Sequence, residues 1–230
     1  MNRLTKEQKK ALFYKDLLDL RWNGQVLFNF FICLLVTLIF LWYPRQELPI
    51  SFVIGFTFAM VTMFTQGNLV VEEREQGTLR RLQQVGFSIK DVLIIKMFVS
   101  FLVTSVLVFL FLLFYRFDPT ISFHLLVLSF PIIIIMLLAG TFIGLQAKNT
   151  IEVSLYGTPI ALFYLFLEGL LMNHQLGYMQ WIAVFPNYHL YYGVTSDTLL
   201  PYLLTPYLWM IIVVMVFMWW FMKKMKTNKF

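Results

Sequence analysis

Residues 51–82 read SFVIGFTFAMVTMFTQGNLVVEEREQGTLRRL, and this stretch decides the fold. Its first part, 51–71, contains no charged residue and matches the roughly 20 apolar residues that a transmembrane helix needs. The second part, 72–82, has six ionisable side chains, in a chain in which only 13% of residues are charged. An apolar run of bilayer length followed at once by dense charge predicts a membrane span and then an extramembrane segment.

The rest of the chain repeats this pattern of long apolar runs. Of the 230 residues 60% are hydrophobic, more than is usual for a soluble domain. We predict an all-α membrane protein with six spans, at residues 26–43, 51–71, 92–115, 123–145, 153–172 and 207–222. The last run is short and is expected to borrow from 199–206. Lys96, inside the third run, is expected to reach back to the lipid headgroups.

Positive charge divides the loops into two groups. Lys and Arg are concentrated before span one, after span two, at Lys148 and in the C-terminal tail, whereas the long segment 173–206 has none. The positive-inside rule therefore predicts a multi-pass plasma-membrane protein, with both termini and the charged segment in the cytoplasm. The net charge of +6 lies at the ends of apolar runs, which suits anionic lipid and gives no reason to expect nucleic acid.

Residues 4–22 form a second amphipathic element, before the first span. We predict an interfacial helix on the inner leaflet. Its apolar side would be formed by Leu4, Ala11, Leu12, Leu18 and Trp22, and its other sides by Lys9, Lys10, Lys15 and Asp16. The alternative is a solvated tail with scattered apolar residues.

The sequence lacks the common motifs of catalysis and nucleotide binding. It has no Gly-x-x-x-x-Gly-Lys-Ser/Thr loop, no His-Glu-x-x-His pair and no Gly-x-Ser-x-Gly elbow. Its three histidines are dispersed and Cys33 is its single cysteine, so we predict neither a metal site nor a catalytic residue. Energy for any transport must then come from a partner or from an ion gradient.

Glu168 is the one acidic residue within the predicted spans. The favoured interpretation is an interfacial carboxylate near the outer end of span five that reaches water or caps a helix break, because burial of a charge in the bilayer is costly. The alternative is a gating or cavity residue. One outer carboxylate is a poor basis for a proton relay, which argues against a gradient-driven carrier.

These parts occur together in a known family. A Glu-x-Glu-x-Gly-Thr-Leu segment, residues 73–79, follows span two, and span five ends in Glu168-Gly169-Leu170. Phe-Pro-Asn-Tyr-His, residues 185–189, stands in the last outer loop. With six spans and an N-terminal helix, the chain resembles over nearly its whole length the membrane subunit of type 2 ABC exporters, the ABC-2 permeases. Gly-Thr-Leu after span two is the more specific element.

The resemblance implies that residues 72–86 contain a coupling helix that docks into a cleft on a separate ATP-binding subunit. The matching positions are Glu73, Glu75, Gly77, Thr78 and Leu79. Gly77 tolerates the left-handed conformation that ends a helix, and the Thr78 hydroxyl would cap the next helix. The alternative is a charged loop that only fixes topology.

The next residues would make the contact with the ATPase. Leu79 and Leu82 fall on one side and are expected to enter an apolar groove of the partner. Arg80 and Arg81 are expected to meet its acidic residues. Accordingly, Gly77→Pro or Leu79→Asp should leave membrane insertion intact and uncouple ATP hydrolysis from export.

The resemblance also implies an outer gate and an assembly. A re-entrant hairpin of two half-helices would occupy 177–192 before span six. The residues of the gate or substrate path would be Glu168, Gly169, Pro186 and His189. Gly140 and Gly144 in span four permit close helix packing, within the chain or in a dimer. Two permeases, with a homodimer favoured over a heterodimer, would join two ATPase subunits, which bind ATP and Mg; this chain itself needs no cofactor.

The resulting hypothesis is a bacterial export permease with its path at the permease dimer interface. Compact outer loops and spans rich in Phe, Met and Ile favour amphipathic peptides or hydrophobic drugs as cargo. Lipid-linked glycan is the alternative cargo. Two alternatives belong to other classes of protein: a gradient-driven secondary carrier that works alone, and a non-transporting scaffold or immunity protein.

Overall fold

A computed structural model of the protein describes residues 6–42, 50–173 and 180–226. These residues are mostly helical, and no strand occurs among them. The helices are α1 Lys6–Asp19, α2 Gly24–Trp42, α3 Ile50–Glu75, α4 Thr78–Gln84, α5 Ile89–Tyr115, α6 Pro119–Gln146, α7 Thr150–Met172, α8 Pro186–Gly193 and α9 Leu200–Lys226. Two 3₁₀ turns, Leu20–Trp22 and Gln180–Val184, precede α2 and α8.

Five of these helices, α3, α5, α6, α7 and α9, are each long and apolar enough to cross a membrane. The number rises to six if Lys6–Trp22 and Gly24–Phe40, which are bent by 71° relative to each other, count as one span. The all-α membrane fold is therefore confirmed. As expected, the last long helix takes in most of 199–206: it begins at Leu200 and contains Pro206.

Helix α3 lies at the centre of the bundle and is the most deeply buried of the five. It packs against α2, α5, α6 and α7. A π-helical turn, Phe58–Met63, interrupts its α-helical geometry, and nearly all of the side chains in this turn are buried. Four of the other long helices are thus positioned by the element that leads into the charged segment, whereas α9 packs on α6 and α8.

Gly140 and Gly144 bring α6 against α3 within the chain. A Cβ atom on Gly140 would lie 2.3 Å from the carbonyl oxygen of Met63, and one on Gly144 would lie 2.6 Å from that of Gly67. Backbone cannot yield to such a contact, so only glycine fits at this crossing. The half of α3 that leads to Glu75 is therefore clamped to α6.

The segment formed by α1 and the 3₁₀ turn after it has two apolar sides rather than one. Leu12 and Leu20 are buried against the bundle, whereas Leu18 and Trp22 are exposed on another side. Asp16, expected on the polar side, lies in the buried stripe between the two buried leucines. The predicted single apolar face is wrong because α1 packs on α5 as well as presenting apolar side chains outward. Of the expected face, Ala11 is exposed and Leu4 lies outside the described residues.

Candidate coupling site and outer gate

The turn between α3 and α4 is made by Gly77, whose φ of +65° lies in the left-handed region. This is the conformation expected there, and it disfavours any residue with a Cβ atom. Thr78 is not the cap of α4: the cap position is held by Gly77, which makes no side-chain hydrogen bond, and Thr78 is the first residue of the helix. Its hydroxyl instead donates to the carboxylate of Glu73. The first residue of α4 is thereby tied to the last turn of α3.

Glu73 is the centre of a buried ion cluster. Its Oε1 lies 3.0 Å from Lys15 Nζ and 3.1 Å from Lys96 Nζ, and Lys96 Nζ lies 3.2 Å from Asp16 Oδ1. Glu73, Asp16 and Lys96 are each at most 3% exposed. Lys96 does not reach back to the headgroups, as the sequence suggested, because two carboxylates neutralise it inside the protein. The Glu73 cluster thus joins α1, α3 and α5, and through Thr78 also α4.

The opposite charges within this cluster compensate for the cost of burying one another. Burial raises the pKa of the Asp16 carboxyl above its ordinary value, although the charges of Lys96 and Lys15 act in the opposite direction. Burial lowers the pKa of Lys15, but the hydrogen bond and charge of Glu73 outweigh it, and the net shift is upward. A buried charge without its counter-charge is very costly. Removal of one member is therefore expected to destabilise the others.

The inward side of α4 carries Leu79 and Leu82. Both pack against the chain's own apolar cluster of Leu12, Phe87 and Val92. The geometry therefore does not favour the expectation that these leucines enter a groove on another protein. The α1 and α5 surfaces occupy that side of α4.

The outward side of α4 carries the two arginines. Arg80 and Arg81 are exposed, as is Glu75 before the turn. Val85, directly after α4, is 61% exposed and adds an apolar side chain beside the two arginines. Sequence reasoning missed Val85, although its position four residues after Arg81 places it on the same side of a helix. Between α4 and the end of α3 lies a cavity of about 420 Å³, lined by Glu73, Arg74, Gly77, Leu79, Arg80 and Gln83.

Glu168 occupies the opposite end of the membrane domain and is fully buried. Ser51 Oγ at the start of α3 donates to Oε2 at 3.0 Å, and Asn187 Nδ2 of α8 donates to Oε1 at 2.8 Å. The favoured sequence interpretation, a carboxylate that reaches water, is therefore wrong. Gly55 makes room for this arrangement, since a Cβ atom there would stand 2.8 Å from the ring of Tyr164.

The other predicted gate residues are dispersed around α8. Pro186 is the first residue of that helix, and the ring Nε2 of His189 lies 2.8 Å from the carbonyl oxygen of Ala183. Gly169 is exposed and does not join Glu168. Asn187, which connects α8 to Glu168, was quoted in the motif but not singled out. Of the predicted gate 177–192, the residues before 180 lie outside the described part.

The helix order, the charged turn after α3 and the short helix before α9 occur together in one family. The family model described as ABC-2 type transporter matches residues 8–199. The chain belongs to the ABC-2 type transporter family. As an ABC-2 permease it is the multi-pass membrane subunit of an ABC transporter and not its catalytic subunit, and the family implies an ABC ATPase as its partner. No curated protein and no solved structure gives a significant match.

Both candidate regions of this ABC-2 permease lie within the matched residues 8–199, and α9 lies beyond them. Among the residues that the structure describes, no three His, Cys, Asp or Glu side chains are grouped as a metal would require. His174 lies outside those residues. The chemistry available at both regions is therefore ion pairing and hydrogen bonding, which suit mechanical coupling and gating.

Proposed function

We propose that this permease exports amphipathic peptides or hydrophobic drugs and that a dimeric ATPase drives it through α4. The observation that carries the proposal is the Glu73 cluster. It ties α4 to α3 and, through Lys96 and the Lys15–Asp16 pair, to α5 and α1. A short helix attached to three other helices moves with them. Closure of the ATPase dimer on ATP would then shift the spans between two arrangements.

The docking face of α4 is the side with Arg80, Arg81 and Val85. These side chains point away from the chain's own core, whereas Leu79 and Leu82 pack into it. A cleft lined by carboxylates, with an apolar patch, is the complementary surface. On this proposal Leu79→Asp acts by unseating α4 from α1 and α5, and Gly77→Pro acts by breaking the turn.

The exposed sides of α2 and α7 support an apolar path between two copies of the chain. Phe28, Phe31 and Leu35 follow one another along an exposed side of α2, and Phe163 and Phe166 are exposed on α7. Aromatic and aliphatic walls suit cargo whose surface is largely apolar. A homodimer places both sets of side chains on two sides of one path.

Copurification tests the coupling. The tagged permease is expressed with a candidate partner ABC ATPase, and bound ATPase is measured after detergent extraction. The double variant Arg80→Glu/Arg81→Glu should weaken binding by about tenfold or more, because two attractive charges become repulsive. The matched control is Lys90→Glu, an exposed cation outside α4, which should bind like the wild type. Equal binding by the double variant would contradict the proposed docking face.

Reconstitution distinguishes the other classes of function. The burial of Glu168 is the observation that favours a gradient-driven carrier, since such carriers use acidic residues within the membrane domain. Transport by the chain alone in a proton gradient would establish that class and remove the ATPase from the mechanism. Function with a hydrolysis-deficient ATPase would instead favour a scaffold. Binding of radiolabelled lipid-linked glycan, rather than peptide, would identify lipid-linked glycan as the cargo.

A further inference from the structure

Two polar side chains at the centre of the bundle have no hydrogen-bond partner. Thr65 and Asn68 on α3 are fully buried, and neither the hydroxyl of Thr65 nor either amide atom of Asn68 is paired with any described residue. Other buried polar groups of α3 are paired: Thr62 with Thr104, and Gln66 with Thr141. An unpaired buried amide is unfavourable and rare in folded proteins, so this pair requires an explanation.

Both side chains lie on the side of α3 that the start of α2 covers. Thr65, Asn68 and Glu72 are spaced by three and four residues and therefore share one face of the helix. Glu72 Oε2 accepts a hydrogen bond of 3.3 Å from Asn23, the residue before α2. Val26 of α2 packs against Leu69 of α3.

The start of α2 is held by two polar contacts. One is the Asn23–Glu72 bond to α3, and the other runs from Gln25 Nε2 to Ser154 Oγ of α7, at 2.7 Å. The region beneath it is thus enclosed by α2, α3 and α7. Each of these hydrogen bonds makes only a small net contribution to stability, so they can open and close.

The chain next to these contacts is built to bend. Helices Lys6–Trp22 and Gly24–Phe40 meet at 71°, and between them Asn23 is extended, with φ −82° and ψ 96°. The Glu73 cluster fixes α1 on one side of this bend. On the other side, few of the described side chains of α2 are buried, chiefly Val26, Cys33 and Thr37. A helix with so little buried surface separates from its neighbours at low cost.

We propose that Thr65 and Asn68 form a concealed polar subsite of the transport path, which is uncovered when the start of α2 swings away from α3 and α7. An amide both donates and accepts, and a hydroxyl does the same, so the subsite binds hydrogen-bonding groups of an otherwise apolar cargo, such as peptide amides. This inference rests on the proposed export function. It assigns polar recognition to a path whose exposed walls are apolar.

Cysteine accessibility tests the movement. Asn68→Cys is introduced into a Cys33→Ala chain and expressed with the ATPase that copurifies with the permease. The variant is then studied in inside-out membrane vesicles. A charged methanethiosulfonate reagent is added with and without ATP. If turnover raises the open population from about 1% to about 10%, the labelling rate rises about tenfold. Ser100→Cys, equally buried but facing Gln66 rather than α2, should stay unlabelled and excludes general loosening.

A second pair of variants tests the contacts that hold α2. Ser154→Ala removes the acceptor for Gln25 and should raise labelling of Asn68→Cys severalfold even without ATP. Thr158→Ala, one turn along the same helix and exposed, should not change it. If Asn68→Cys stays unlabelled in every state while ATP-driven export continues, the inference is overturned and the proposed function stands. Loss of ATPase copurification would instead refute the proposed function.

Ligand chemistry is tested by protection from labelling. The probes are a synthetic amphipathic Leu/Lys peptide and the same peptide with methylated backbone nitrogens, which cannot donate. Protection of Asn68→Cys by the first peptide, and not by the second, supports binding through backbone amides. Protection by both peptides, or by neither, overturns the assignment of the subsite to amide groups.

Discussion

Glu73 and Glu168 are both buried carboxylates, at opposite ends of the membrane domain, yet they are held differently. Glu73 lies between two lysines and also accepts from Thr78, so its bonds are charge-assisted. Glu168 accepts from the neutral groups of Ser51 and Asn187, and the described residues provide it with no salt bridge. Because Glu73 has two lysine counter-charges and Glu168 accepts only from uncharged donors, the Glu73 end is the more rigid of the two.

Helix α3 connects the two carboxylate sites directly. Ser51 contacts Glu168, and Glu73 itself lies 22 residues further along the helix, a rise of about 33 Å. This is about the thickness of the hydrocarbon core. On the proposed function, a displacement at the Glu73 end would reach the Glu168 end through this one helix, where hydrogen bonds from two uncharged donors, Ser51 and Asn187, hold Glu168.

The largest effect is expected from Lys96→Met. It removes the buried cation between Glu73 and Asp16 and leaves only the partly exposed Lys15 to pair with both, at a cost of about 3–5 kcal/mol in the free energy of unfolding. SDS titration of the purified permease in detergent micelles measures the loss. Lys90→Met, on an exposed side of the same helix, should change stability by no more than about 0.5 kcal/mol. Equal stability of the two variants would show that the Glu73 cluster is not the rigid end.

Gly140→Ala tests whether the half of α3 that leads to Glu75 is clamped. Its Cβ atom would stand 2.3 Å from a backbone oxygen of Met63, and overpacking of this kind costs about 1–3 kcal/mol. SDS titration of the purified permease measures this loss in the free energy of unfolding. The matched control is Gly169→Ala, where no atom lies within 4 Å and the change should be neutral or slightly stabilising. A tolerated Gly140→Ala would argue for a loose α3–α6 contact.

Gly77→Ala tests the turn that places α4. A left-handed non-glycine residue costs about 1–2 kcal/mol, and the strain is relieved if α4 shifts on the Glu73 cluster. We expect fewer cargo molecules exported per ATP hydrolysed, with ATPase binding retained. Gln76→Ala, the exposed neighbour with ordinary helical geometry, provides the control. An unchanged ratio of export to hydrolysis would remove the turn from the coupling route.

The smallest effect is expected from Glu168→Gln. Because its donors are neutral, loss of the charge should cost only about 0.5–1.5 kcal/mol, whereas Glu73→Gln, beside two lysines, should cost more. Both variants are compared in one SDS titration. If Glu168→Gln destabilised the permease as much as Glu73→Gln, the contrast between the two ends would be lost.

The sequence was sufficient for features that depend on local chemistry. Bilayer-length apolar runs predicted the helices, and a glycine between two charged helical segments predicted the left-handed turn at Gly77. The errors at Lys96 and Leu79 have a shared cause. A charge or a leucine at a membrane boundary can face lipid, a partner or its own fold, and spacing along one helix does not distinguish these. The burial of Glu168 depends on contacts such as the one with Ser51, which is 117 residues away in the sequence, so no local pattern indicates it.

The π-helical turn Phe58–Met63 makes α3 unevenly tolerant of deletion. A π-helical turn holds one residue more than the α-helix it interrupts, so loss of one residue there can restore plain α geometry without rotating the flanking parts. Loss of a residue elsewhere between Ser51 and Glu73 would turn one end by about 100° relative to the other. We therefore expect that a related permease whose second span is one residue shorter lacks that residue in the segment that corresponds to 58–63.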